Sequence, residues 1–298
     1  MHRADLLLVL ANVVYATSYV ATRLALDAVP PAALALLRLV IGGLVLVALV
    51  PSARAGLSLS RPDRLRIVAM GVVGFTAAFA LSHWGLARST ATNAALLIVV
   101  EPLTILLLGP VLLGERLSRR EGAGALCGVV GALLVVVNGI PGVTQRLVPH
   151  WRGDLLLVLA GAAYGAYTLL GRPVLARHPS LPVTTRSILW GVPALVPLVA
   201  LEWVDGRRPA WTVPAVLGVL YLALVITALG YVVWNWALER VTASRAAIFL
   251  NLQPVVGALL GVVILGEPLT PFTVVGGVLV VAGLLLTVRT DTGQRVYS

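Results

Sequence analysis

Ten apolar stretches, each about as long as a bilayer is thick, follow one another through the 298-residue chain. A hydrocarbon core of about 30 Å takes roughly 20 helical residues, and lipid offers no water to pair with an exposed backbone. We place the ten predicted spans near residues 5–26, 31–50, 65–86, 93–113, 121–138, 154–171, 184–203, 213–236, 244–264 and 272–289. The sequence therefore predicts an all-α integral membrane protein with ten transmembrane helices.

Composition narrows the class further. Apolar residues make up 59% of the chain, charged residues only 11%, and the mean hydropathy is +0.98, which excludes a soluble globular domain. The formal charge of +10 comes from arginines in the short connections, where they set topology and contact anionic lipid headgroups, so we expect no nucleic-acid partner. The longest connections, 51–64 and 139–153, are too short for a catalytic domain, and we expect no enzyme.

The distribution of arginine predicts the orientation. An even number of spans puts both termini on one side, which holds 14 of the arginines, whereas the opposite side holds five. Because cytoplasmic loops carry the excess of basic residues, we expect both termini in the cytoplasm and the chain in the inner (plasma) membrane. The connection 139–153 then lies outside.

The two halves of the chain repeat one another. The heptapeptide Asp5–Ala11 recurs unchanged at Asp154–Ala160, and Tyr15 matches Tyr164 at the same offset. Each half holds five spans, an odd number, so the copies cross the membrane in opposite senses. We predict two inverted five-helix repeats, residues 1–140 and 152–290, with a binding site near the midplane between them.

A set of residues whose order occurs twice carries a family resemblance. These residues are the mid-span Arg38 of the second helix, Pro102 and Pro254 in the fourth and ninth, Gly114-Glu115 and Gly266-Glu267 at the ends of those helices, and glycines in the fifth and tenth. In this pattern the chain resembles the EamA-like ten-helix proteins of the drug/metabolite transporter superfamily. The resemblance implies that the fifth and tenth helices pack together at the edge. The second half departs from the family pattern at the position that matches Arg38, because residue 187 is Ser, with Arg186 beside it.

Polar residues within the spans fall at helical spacings of three and four, so they form stripes. In lipid such a stripe must face other helices or water. Thr and Ser can instead bond to their own helix, and Tyr and Trp near span ends are typical of the aromatic belt. The candidate substrate-binding residues, which we expect to converge on one central cavity, are Asn12, Tyr15, Tyr19, Arg38, Glu101, Tyr164, Thr168, Tyr231, Asn235 and Gln253.

Glu101 is the one acidic residue central in a span. An ionised carboxylate at the bilayer centre costs about 2.5 to 3.5 kcal/mol, so it has a partner or a task. Its protonation could couple transport to protons, or it could recognise an amino group. Alternatively it forms a permanent ion pair with Arg38, or stays protonated and bonds to a helix carbonyl. Pro102 and Pro254 free carbonyls near positions 98 and 250, which either bind substrate or mark a bend.

The remaining polar residues favour structural roles. For His83 and Trp84 we expect the aromatic belt or a helix contact, and for Glu115 and Glu267 a solvated or interhelical role. The sequence has no metal-ligand spacing and no phosphate loop, so we expect no cofactor.

Together these features predict a secondary transporter that exports a small metabolite, such as an amino acid or derivative, by alternating access around a central cavity. Its partners would be this small-molecule substrate, protons and membrane lipids, and the protein would be a monomer or homodimer. Two alternatives remain open, an exporter of cationic drugs and a passive facilitator or channel.

The orientation can be tested with cysteine labelling. In a Cys127→Ala background, Gln145→Cys should react with a membrane-impermeant maleimide in intact cells, whereas Arg61→Cys should react only after permeabilisation. Labelling of Arg61→Cys but not Gln145→Cys in intact cells would reverse the assignment.

Overall fold

A computed structural model describes residues 3–51, 56–113, 118–138, 140, 150–238 and 249–287. These residues are helical and contain no β-strand, which confirms the all-α prediction. The helices are α1 (Arg3–Ala25), α2 (Pro31–Leu49), α3 (Arg61–Leu86), α4 (Ala91–Leu97 and Val100–Leu113), α5 (Arg119–Val137), α6 (Trp151–Leu175), α7 (Ser180–Val204), α8 (Val213–Leu238), α9 (Leu252–Leu265) and α10 (Pro271–Thr287).

Eight of these helices, α1 to α8, are long and apolar enough to cross a membrane. The described parts of α9 and α10 are apolar but shorter. The ninth span was predicted to begin at residue 244, which lies outside the described residues, and its described helix starts at Leu252. Within the described residues, five of these helices precede residue 140 and five follow residue 150.

Helices α3 and α8 each contain a π-helical stretch that the hydropathy pattern does not reveal. The stretches are Gly71–Ala77 and Tyr221–Leu229, at matching positions in the two repeats. Thr227 Oγ1 donates to the carbonyl of Leu222, five residues back, at 2.9 Å. π-bulges are rare and occur frequently at functional sites, where they redirect the side chains that follow them.

Helix α4 is interrupted just before its proline. Ile98 and Val99 are not helical, and the helix resumes at Val100. The N–H of Glu101 donates to the carbonyl of Ile98 at 3.0 Å, so this carbonyl is not free as expected but forms a tighter, three-residue turn. Its counterpart in the second repeat is a break at Asn251, ahead of Pro254. Pro102 and Pro254 thus each follow an interruption of their helix.

Helices α5 and α10 pack backbone to backbone through glycines. A Cβ added to Gly131 would lie 2.6 Å from the carbonyl oxygen of Gly276, and one added to Gly283 would lie 2.7 Å from that of Gly124. Only glycine leaves room for so close an approach, the small-residue packing common in membranes. The expected pairing of the fifth and tenth helices is confirmed.

Both repeats contribute to each of the larger apolar clusters. One joins Val20 and Leu97 of the first half to Leu157 and Val280 of the second. Another joins α2 and α3 to α7 and α8 through residues such as Phe75 and Ile188. Because the halves share their core in this way, side chains from either half that point away from lipid meet at their interface.

Candidate functional site

Arg38 lies at the centre of the polar side chains that meet between the two halves. It is held from the side, because its Nε donates to Thr227 Oγ1 at 2.9 Å and its Cζ lies 4.8 Å from the ring centroid of Phe79. Thr227 is available there because the π-helical stretch of α8 carries it toward α2. The guanidinium is therefore anchored through one nitrogen and one face.

Four tyrosines from both halves lie within electrostatic reach of the Arg38 guanidinium. They are Tyr15, Tyr19, Tyr164 and Tyr231. Each is half-buried rather than fully enclosed, as is Arg38 itself. Tyr15 and Tyr164 occupy matching positions of the two repeats, so the inverted repeat brings equivalent residues to the same cation.

Aromatic rings form a wall beside this cluster. Phe79 contacts Tyr164 edge-on at 5.8 Å between ring centroids, and Phe75 contacts Tyr167 and Tyr231 at 5.4 and 6.1 Å. The candidate residues did not include Phe75, Phe79, Tyr167 or Thr227. Phe79 and Thr227 each lie four residues from a polar residue on the same helix face. This spacing is the sequence feature that could have identified them.

Glu101, the acidic residue central in α4, lies near two of the same tyrosines. Its carboxylate has Thr168 as a hydrogen-bond partner, and Tyr19 and Tyr164 are within electrostatic reach of both charged groups. The ion pairs formed within the described residues include neither Glu101 nor Arg38. The permanent ion pair considered from the sequence is not formed.

Gln253, the counterpart of Glu101 in the second repeat, is engaged elsewhere. Its Nε2 donates to Asn12 Oδ1 at 2.8 Å, and Asn12, fully buried, donates in turn to the carbonyl of Leu8. These two candidates therefore pair with each other across α1 and α9. The side chain of Asn235 lies outside the described residues. The position matching Arg38 holds Ser187, which bonds to its own helix at Val183.

At the end of the molecule that the arginines predict to be outside, a carboxylate from α7 joins the halves. The N–H of Ala32 donates to both oxygens of Glu202 at 3.0 and 3.1 Å, and that of Ala33 donates at 3.2 Å. Trp84 Nε1 adds a bond of 2.8 Å. Unpaired N–H groups at a helix N-terminus favour a carboxylate, so Glu202 caps α2. His83 makes a helix contact as expected, with Nδ1 3.2 Å from the carbonyl of Pro31.

Two further carboxylates of the second half bind the first half at the same end. Glu267 accepts from the N–H groups of Ala91 and Thr92 at 2.7 and 2.8 Å, capping α4, so its interhelical role is confirmed. Asp154, fully buried, accepts from Asn93 and Ser89 and contacts His150 at 2.7 Å. Glu115 lies outside the described residues. Three second-half carboxylates thus join the halves at the predicted outer end.

Below these contacts, the space next to the tyrosines narrows to a cavity of about 20 Å³. It is bounded by side chains that include Tyr19, Ser82, Ile98 and Tyr164. A cavity of this size holds about one water molecule. At the opposite end, Asp63 of α3 pairs with Arg177 and His178, which follow α6. Within the described residues no cluster of three or more His, Cys, Asp or Glu could hold a metal.

Comparisons with known family patterns, sequences and structures agree with one another. The sequence pattern of the EamA-like transporter family matches residues 2–137 and again 151–289. The chain is 32% identical to a "Probable terminal-alkyne amino-acid exporter" of Streptantibioticus cattleyicolor, over 97% of this chain and 94% of that protein. It is 28% identical to a "Probable amino-acid metabolite efflux pump" of Salmonella typhimurium, over 97% and 96%. A crystal structure with 23% identity shares the fold, with a TM-score of 0.64 over 95% of this chain and 96% of that one.

The separation of Arg38 and Glu101 can be tested by a double-mutant cycle on thermal stability. Arg38→Met, Glu101→Gln and the double variant should give additive effects, with a coupling energy within about 0.5 kcal/mol of zero. The Asp63→Asn and Arg177→Met cycle is the control, because those side chains form an ion pair, and it should give a larger coupling. A coupling of several kcal/mol between Arg38 and Glu101 would show that they are paired.

Proposed function

The chain belongs to the EamA-like transporter family, and we propose that it is a secondary transporter that exports a small metabolite of the amino-acid class by alternating access. The observation that carries the proposal is the meeting of Arg38 and four half-buried tyrosines from both repeats between the two halves. The names of the two relatives, an amino-acid exporter and an amino-acid metabolite efflux pump, support the substrate class. The units that move relative to one another would be residues 1–140 and 152–290.

In this mechanism the second-half carboxylates act as an outer gate. Glu202 and Glu267 each hold a helix N-terminus of the first half, and Asp154 holds Asn93. While these contacts persist, the tyrosine cluster is closed toward the predicted outer side. Opening outward requires the three carboxylates to leave their donors, and the capping bonds exchange for water at that surface. Substrate would enter from the opposite side and leave when the gate opens.

Glu101 is the residue we assign to proton coupling. It is central in its span, it has only Thr168 as a hydrogen-bond partner, and no described cation pairs with it. The other titratable groups within its electrostatic reach are Tyr19, Tyr164 and Tyr167. A carboxylate so placed can gain a proton in one state of the cycle and lose it in the other, because rocking of the halves changes its access to water.

The distribution of arginines also bears on the membrane and the orientation of the protein. We propose that the protein works in the inner (plasma) membrane with both termini cytoplasmic, among anionic lipids that contact its loop arginines. Arg38, Glu101 and the tyrosines all come from one chain, so a monomer would suffice for transport and a homodimer would carry two independent sites.

Counterflow in proteoliposomes tests the function. Liposomes preloaded with the twenty unlabelled L-amino acids should take up a labelled amino-acid mixture faster than empty ones, since a carrier exchanges substrate faster than it returns empty. Glu101→Gln should abolish accumulation driven by a pH gradient and keep counterflow, because exchange needs no net proton movement.

Three outcomes would contradict the proposal in different ways. Uptake that preloading does not accelerate indicates a facilitator or channel. If ethidium uptake is accelerated by preloaded ethidium, and amino-acid uptake is not accelerated by preloaded amino acids, the protein is an exporter of cationic drugs. Glu101→Gln transport with wild-type pH dependence removes the coupling role.

A further inference from the structure

Arg38 presents an uncompensated positive charge in the interior of the membrane. It occupies the middle of α2, and the ion pairs of the described residues do not include it. Burying a cation is costly unless an anion or several hydrogen bonds stabilise it, and charged residues inside spans usually mark a substrate pathway. The structure thus retains a charge that contributes little to its stability.

Most of the hydrogen-bonding capacity of Arg38 is also unused by the protein. A guanidinium has five N–H donors. Within the described part of the chain, one of them is engaged, the Nε–H that donates to Thr227. The other four, on the two Nη atoms, have no protein acceptor there, and Arg38 remains half-buried rather than sealed. The two Nη groups therefore keep hydrogen-bonding capacity that the described residues do not use.

The surroundings of these Nη groups suit an anion. Tyr15, Tyr19 and Tyr164 lie within electrostatic reach of the guanidinium, and a phenolic hydroxyl can donate to a carboxylate oxygen. Phe79 and Thr227 hold the guanidinium from one face and one edge, so its orientation is fixed before a ligand arrives. Glu101 shares the neighbouring Tyr19 and Tyr164 but forms no ion pair with Arg38 among the described residues.

We propose that Arg38 is the carboxylate subsite of the transporter, where the two Nη groups bind the substrate's carboxylate through parallel hydrogen bonds and the tyrosine hydroxyls complete its coordination. An arginine fork matches a carboxylate in geometry, and such pairs are charge-assisted. The inference rests on the proposed function and narrows it, because transported molecules must carry a carboxylate and amines without one are excluded. The subsite is unique to the first repeat, since Ser187 occupies the matching position.

Binding of matched ligands to the purified full-length protein tests the subsite. Each of the twenty standard L-amino acids is compared with its α-amide and with the desamino carboxylic acid of the same side chain, and melting-temperature shifts give apparent affinities. The free acids that bind wild type should bind at least tenfold more tightly than their amides. Arg38→Gln should lose this preference, and Arg38→Lys should recover part of it because it keeps the charge without the fork.

Arg23→Gln is the matched control, because Arg23 is an arginine of α1 paired with Asp27 near the surface and should leave the preference unchanged. Melting of each apo variant checks folding, and apo Arg38→Gln should melt no lower than wild type because it removes an unpaired buried charge. If Arg38→Gln fails to fold, the subsite is still tested by the ratio of acid to amide affinities in wild type and by the affinity of Arg38→Lys for the free acids.

The outcomes separate this inference from the proposed function. Amides that bind wild type as tightly as the free acids, or an Arg38→Gln variant that keeps the preference, overturn the subsite while amino-acid transport stands. Binding of desamino acids through Arg38 without binding of amino acids supports the subsite and contradicts amino-acid export. Binding of none of the three ligand sets overturns both.

Discussion

The structure depends on the need to stabilise a cation where lipid excludes water. Arg38 lies in the middle of α2, where the protein contacts it with one hydroxyl, that of Thr227, and one aromatic face, that of Phe79. Providing these groups requires α3 and α8 to meet α2, which only the interlocking of both repeats achieves. The π-helical turn that places Thr227 and the interruption before Pro102 are local adjustments that bring polar groups to this meeting point.

A second electrostatic principle operates at the predicted outer end. Helices α2 and α4 start there with exposed N–H groups that carry partial positive charge, and a carboxylate from the opposite repeat accepts hydrogen bonds from each of them. Such bonds are strong in a closed structure, yet the same donors and acceptors can be hydrated when the halves separate. Caps that come from the other half therefore join the repeats without fixing them permanently, as the proposed alternating-access mechanism requires.

The sequence predicted the spans, the repeat and the polar stripes, because hydropathy and helical phase are local properties. Tyr15 and Tyr164, which the repeat matches, both lie within electrostatic reach of Arg38. Features that depend on packing between helices could not be predicted. Glu202 accepts from two backbone N–H groups of α2, which no side-chain pattern reveals, as well as from Trp84. The distance between Arg38 and Glu101 depends on how α2 and α4 are arranged. The π-helical stretch of α3 begins at Gly71, where the backbone lies close to α7.

Alternating access requires that the outer gate control entry to the tyrosine cluster, and labelling of Ser82→Cys, which borders the small cavity, measures this directly. In a Cys127→Ala background, an impermeant maleimide applied outside should label Ser82→Cys slowly. Adding Glu202→Ala and Glu267→Ala should speed labelling several-fold, whereas the exposed Arg207→Cys should react equally fast with and without these changes. A labelling rate for Ser82→Cys that is unchanged by loss of both carboxylates would contradict the account.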